Sequence, residues 1–201
     1  MTNNQVTLVG RISSELTHDH EIYGENYYRV TVSVERTSGV YDDIPVLVSD
    51  RLFNIRELKI DSYILVRGQY RSYNLHEGLK TRLLLFIVAT ELEIISYSDN
   101  YNEVFLEGYI TKPPVYRQTP LGREICDVIL GIHRGYNKTD YIPCVIWGKN
   151  AKYISKFEVG DVIRVAGRLQ SRNYDKAGET KTAYEVSVNL VEVIDDSDEV
   201  A

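Results

Sequence analysis

In the second half of this 201-residue chain, positive charges and aromatic rings interleave. Arg134 and Lys138 flank Tyr136, Lys149 and Lys152 follow Trp147, and a stretch from Val162 to Tyr174 alternates as a strand does. Because side chains on a strand alternate with period two, Ile163, Val165, Gly167 and Leu169 take one face of it and Arg164, Arg168, Gln170, Arg172 and Tyr174 the other. Flat rings stack on unpaired bases, worth about 1 to 3 kcal/mol per base, and spaced cations follow phosphates, so the pattern suits holding a polynucleotide single strand without reading its sequence. Two plainer readings stay open on these residues alone. Alternating arginines also make the solvated face of a strand, and a tryptophan at a strand end also serves as core or interface.

Other chemistries find little support. The chain has no phosphate-binding glycine loop, no dinucleotide fingerprint and no helix-borne His-Glu-x-x-His. His18 and His20 stand two apart and His133 lies far off, with no further ligands at metal spacing, so neither a metal nor another cofactor is expected. No nucleophile and base can be paired, and the expectation is a binding protein, not an enzyme. Two cysteines, Cys126 and Cys144, cannot build a disulfide framework and are read as reduced thiols, buried in a core or facing each other across a hairpin. The longest apolar run, Leu83 to Ala89, is far short of the roughly 20 residues that cross a bilayer. Met1 to His20 holds no apolar stretch resembling a signal peptide, so a cytoplasmic, nucleoid-associated protein with no membrane contact is expected.

The elements that must carry these residues come twice. Asn4-Gln-Val-Thr-Leu-Val-Gly10-Arg-Ile12 returns as Asn102-Glu-Val-Phe-Leu-Glu-Gly108-Tyr-Ile110 at an offset of 98, and Gly24, Arg36, Asp42 and Ile44-Pro45 fall on Gly122, Arg134, Asp140 and Ile142-Pro143. After one inserted residue, Ile64 to Gly68 matches Ile163 to Gly167, and Glu91 to Ile95 matches Leu190 to Ile194. The reading is two domains, 1–98 and 99–194, joined near Ser96 to Tyr101 and followed by an acidic tail at 195–201.

Within the second copy, β-branched and alternating residues predict strands at Val104–Ile110, Cys126–His133, Tyr141–Trp147, Val162–Asn173 and Ala183–Ile194. Short helices are expected at Asn150–Phe157 and, in the first copy, at Arg51–Leu58, each between the third and fourth strands. Five strands with one helix in that place describe the OB-fold, so the expected fold is all-β: two tandem five-stranded OB barrels. Gly10, Gly68, Gly108 and Gly167 interrupt strand patterns where a small closed barrel needs bulges and sharp bends.

The second copy resembles the bacterial single-stranded DNA-binding protein family along nearly its whole length. The resemblance is carried by Asn102 to Ile110, by Asp140-Tyr-Ile-Pro-Cys-Val-Ile-Trp-Gly-Lys-Asn-Ala151, by Val159-Gly-Asp-Val-Ile-Arg-Val-Ala-Gly-Arg-Leu-Gln-Ser-Arg172, and by Tyr174 followed by Asp175-Lys-Ala-Gly178. It implies base stacking by Tyr136, Tyr141, Trp147 and Tyr174, alongside phosphate contacts from Arg134, Lys138, Lys149, Lys152, Arg164, Arg168 and Arg172. It also implies an assembly of four OB-folds, hence a homodimer of this two-fold chain, and contacts with replication or repair proteins. The family's acidic tail usually ends in a Pro-Phe pair that docks on such partners, whereas these acids run into Val200-Ala201.

Aligned the same way, the first copy offers Ser38, Asp43, Ser49 and Leu75 at the ring positions. Charge separates the copies too: residues 1–98 hold 10 Lys/Arg against 13 Asp/Glu, residues 99–194 hold 13 against 12, and the tail holds four acids and no base. Arg67, Arg71 and Tyr73 keep an outward alternation and offer a secondary contact to the strand, but the favoured reading is that the first copy is structural. The resulting expectation is a sequence-independent binder of single-stranded DNA in replication, repair or recombination, with RNA as a further ligand to test. The alternative is an accessory protein of a replication or mobile-element complex, whose barrels serve protein contacts.

Overall fold

The computed structural model of the protein describes residues 3–78, 80–97, 99–176 and 178–194. These form two compact units, one built on Val104–Arg168 with residues 3–4 and 185–194, the other on Gln5–Glu103 with Leu169–Tyr184. The acidic tail at 195–201 lies outside the described residues.

The first repeat folds as β1 (Asn4–Ile12), β2 (Thr17–Ile22), β3 (Glu25–Glu35), β4 (Tyr41–Ser49), β5 (Tyr63–Glu77) and β6 (Lys80–Ile95). Hydrogen bonding runs β3-β4-β6-β5-β1, and β1 pairs back onto β3, so five strands close on themselves while β2 hangs on the edge of β3. Only β4 and β6 run parallel. The second repeat repeats this circuit with β7 (Tyr101–Ile110), β8 (Val115–Gln118), β9 (Glu124–Arg134), β10 (Lys138–Trp147), a helix α1 (Lys149–Ile154), β11 (Val162–Lys176) and β12 (Glu179–Val193). Its order is β9-β10-β12-β11-β7 with β7 returning to β9, and β10 and β12 are the parallel pair. Both are closed five-stranded barrels of the OB type, and closure leaves each unit its own interior.

Period-two burial builds each core. Val30, Val32 and Val34 of β3 point inward, as do Leu106 and Ile110 of β7 and Leu130 and Ile132 of β9. Gly68 and Gly167 lie where β5 and β11 press closest to their neighbours. A Cβ there would run into the carbonyl oxygen of Val88 or Ser187, so no other residue fits without moving the strand, and the β5–β6 ladder shifts register beside Gly68.

Several expectations need adjusting. Each repeat has a sixth strand that the sequence pattern does not announce: β8 is exposed along its whole length and β2 is exposed or half-exposed, so neither shows an inward face. The helix expected at Arg51–Leu58 reduces to a single 3-10 turn at Ile55–Glu57, started by the Asn54 side chain accepting the Arg56 N–H. That turn buries none of its residues, whereas α1 buries Ala151 and Ile154, three apart on one face. Cys126 and Cys144 are buried free thiols, and they do not oppose each other, since Cys144 faces Val128 and Cys126 faces Ile146 in the ladder. Burial pushes the Cys126 thiol up to about 11, with the charge of Asp127 adding to it, and raises Cys144 further.

Candidate nucleic-acid interface

On the second barrel, Tyr141 and Trp147 stand on the same face of β10 because both occupy odd positions of one strand. Tyr141 is 42% exposed. Trp147 is half-buried, and its indole Nε1–H donates to Ser187 Oγ at 3.1 Å, which fixes the ring plane from β12. Ser187 was not singled out from sequence, because its role depends on the parallel pairing of β10 with β12, which no local pattern announces.

Tyr136 occupies the three-residue loop between β9 and β10, fully exposed. Its φ of 62° and the 55° of Asn137 place both in the left-handed region, costly for a bulky side chain. A ring so exposed contributes nothing to packing.

The cations sort into two groups. Lys138 at the start of β10, Lys149 at the start of α1 and Lys152 within it are exposed and, among the described residues, make no ion pair. Their charge is available to an anion. The arginines are committed. Arg134 lies 3.5 Å from the carboxylate of fully buried Asp140, and Arg164 donates from Nε to Glu107 at 2.7 Å. A guanidinium already facing a carboxylate offers less to a phosphate than a free lysine does. Arg168 is half-buried with further interactions of its own.

The other unit holds the remaining expected residues. Arg172 and Tyr174 share a face near the outer end of β11, the guanidinium carbon 6.0 Å from the ring centroid, within cation–π range, and Tyr174 is 37% exposed. The alternation expected from Val162 breaks once: Gln170, expected to face outward, is buried beside Leu169, where the strand enters the unit of Gln5–Glu103. Arg67 pairs with Glu91 at 2.8 Å, Arg71 donates to Gln69, and Tyr73 is 55% exposed.

The first repeat's counterparts of the ring positions are Ser38 and Asp43, both exposed, half-buried Leu75, and Ser49, which is buried and donates to Glu25. Rings do occur elsewhere on this barrel. His20 stacks on Tyr27 at 4.9 Å and 5°, and His18 meets Tyr28 edge-on at 5.5 Å. Cross-strand pairing of β2 with β3 would have shown them had β2 been recognised. Acids surround them: Asp19 takes Arg29 at 2.6 Å, Asp50 takes Asn26, and Glu25 faces Arg51 at 3.8 Å.

Known proteins resemble this chain in sequence and in fold. The family model described as "Single-strand binding protein family" matches residues 101–194. Single-stranded DNA-binding protein 3 of Listeria innocua is 37% identical over 81 residues, 37% of this chain and 51% of that protein. The single-stranded DNA-binding protein of Clostridium tetani is 35% identical over 105 residues, 47% of this chain and 70% of that protein. The chain spans about half the length of this Listeria protein and of the single-stranded DNA-binding proteins of Bacillus cereus and Bacillus anthracis. The crystal structure of the wild-type single-stranded DNA binding protein from Thermus aquaticus aligns with 96% of this chain and 93% of its own, at a TM-score of 0.79 and 19% identity, a likeness of fold. With a relative at that identity covered over more than two thirds of its length, and a second barrel matched almost from end to end, the chain belongs to the single-strand binding protein family.

Proposed function

We propose that the protein binds single-stranded DNA without sequence preference, mainly through its second barrel, and protects or wraps it during replication, repair or recombination. The observation that carries this reading is the shared face of β10, where Tyr141 and Trp147 stand in line and Lys138 and Lys149 bracket the strand with uncommitted charge. Rings on one strand face accept successive bases, and lysines at its ends meet the backbone between them. Tyr136 and Tyr174 are assigned to stacking and Lys152, Arg168 and Arg172 to phosphate, while Arg134 and Arg164 serve chiefly their carboxylate partners. Arg67, Arg71 and Tyr73 form at most a secondary contact.

In this reading the domains are 1–98 and 99–194, two chains assemble into a homodimer of four OB-folds, and the complex works in the cytoplasm on nucleoid DNA with replication or repair proteins. It acts by binding, without turnover or cofactor. Among the described residues no helix is long and apolar enough to cross a membrane. The loss of rings at the counterpart positions and the net negative charge of residues 1–98 favour a structural or protein-contact role for that repeat.

A titration with labelled oligo-dT of about 35 nucleotides, a length several OB-folds share, tests the proposal by following label anisotropy and Trp147 emission together. The expected result is a rise in anisotropy with quenching of Trp147, both reversed by salt because phosphate contacts release counterions. A rise without quenching moves the strand off β10. No rise at low salt overturns the DNA reading in favour of an accessory protein whose barrels make protein contacts, and a parallel RNA oligomer shows whether the sugar matters.

A further inference from the structure

We propose that Arg36, Asp42 and Asp43 of the first repeat are positioning residues for the stretch of β11 that presents Arg172 and Tyr174; the inference deepens the single-strand reading and rests on it. Asp42 is 1% exposed, and a carboxylate so buried must be fully paired. Arg36 grips it with two bonds, Nε to Oδ2 at 2.7 Å and Nη2 to Oδ1 at 2.5 Å. The carboxylate also reaches beyond its own hairpin. Its Oδ1 accepts the Ser171 backbone N–H at 2.7 Å and lies 3.5 Å from the Ser171 hydroxyl. Arg36 Nη2 donates to the Ser171 carbonyl at 3.2 Å, and the Asp43 N–H donates to the Ser171 hydroxyl at 3.1 Å. Every polar group of Ser171 is thus occupied.

Two residues earlier the strand is held again. Leu169 N–H donates to Asn102 Oδ1 at 2.9 Å, and Asn102 Nδ2 donates to the Leu169 carbonyl at 2.8 Å. β11 is therefore pinned at Leu169 and at Ser171, and Arg172 and Tyr174 leave directly from the second pin. Bonds to a buried charged pair are stronger than neutral ones and hold one geometry. A hairpin arm ordered before the strand arrives loses less freedom on binding, so its ring contributes more to affinity. The first repeat, which lacks rings at its own counterpart positions, serves the single strand by fixing those of its neighbour in sequence.

A double-mutant cycle on the full chain tests this, with oligo-dT as probe. Asp42→Asn is expected to weaken binding about 5- to 10-fold, near the loss from Tyr174→Ala, and the double variant to bind no worse than the weaker single. Because Asp42→Asn also lowers stability, Ser171→Ala, which removes one hydroxyl, is measured beside it and is expected to cost about 2- to 3-fold with the same non-additivity. Wild-type affinity in Ser171→Ala and Asp42→Asn, or losses that simply multiply with Tyr174→Ala, overturns the positioning role while leaving the DNA reading intact. Absence of oligo-dT binding by the unmodified protein overturns both.

Discussion

The two barrels share a skeleton and differ in what they show to solvent. Arg36 with Asp42 and Arg134 with Asp140 are the same ion pair at an offset of 98, each closing the loop between corresponding strands over a buried carboxylate. Gly68 and Gly167 likewise make the same close approach to a neighbouring carbonyl. The ring positions part company: Tyr141 and Trp147 on β10 stand where β4 has Asp43 and Ser49. Even the edge-strand ion pair is reversed, Asp19 with Arg29 on β2–β3 against Arg117 with Asp127 on β8–β9, so attraction is retained with the charges exchanged. Features a barrel needs to close are kept in both copies, and the rings proposed to meet a ligand are kept in one.

Breaking the comparison where it is widest should give the largest effect. Replacing Trp147, Tyr174 and Arg172 together by alanine is expected to cost several kcal/mol of oligo-dT affinity at roughly 1 to 3 kcal/mol per ring, with the circular dichroism spectrum unchanged. Alanine at Ser38, Ser49 and Leu75 should cost under ~0.5 kcal/mol in the same assay, and a comparable loss there would erase the distinction between the barrels.

Where the repeats agree, their variants should agree. Gly68→Ala and Gly167→Ala each force a Cβ into a carbonyl and are expected to destabilise by about 2 to 4 kcal/mol, read from urea denaturation. A large effect in one repeat only would mean that its strand can yield. On the charged side, Lys138→Ala, Lys149→Ala and Lys152→Ala together should flatten the plot of log affinity against log salt by about 2, at ~0.7 per single-strand phosphate contact. Glu107→Gln, which frees Arg164 from its carboxylate, should steepen it slightly.

The smallest effect concerns the core of the second barrel alone. Because the folded Cys126 thiol ionises only near 11 against 9.0 when unfolded, the folded state binds the proton more tightly. Stability attributable to it is present below pH 9 and lost as pH rises toward 11, so melting temperature should fall across that window and Cys126→Ala should flatten the fall. The first barrel contains no cysteine to add to this thiol contribution.

Much of this protein was legible before any fold was in hand. The offset repeat, the period-two strands and the ring and lysine positions of β10 are local patterns, because a strand's face is set by parity and a loop's place by the residues that break it. Legibility stopped where a side chain's role depends on what another segment brings to it. Arg134 and Arg164 read as free cations until Asp140 and Glu107 stood beside them, and Ser187 and Ser171 read as ordinary strand serines until the strands brought Trp147 and Asp42 within hydrogen-bond distance. The short strands β2 and β8 were invisible because exposed edge strands bury no face, and the first repeat's helix shrank to one turn that buries none of its residues. Backbone pattern is a property of neighbours in sequence, whereas the pairing of charges and hydrogen bonds is decided by neighbours in space, and only the folded barrels supply those.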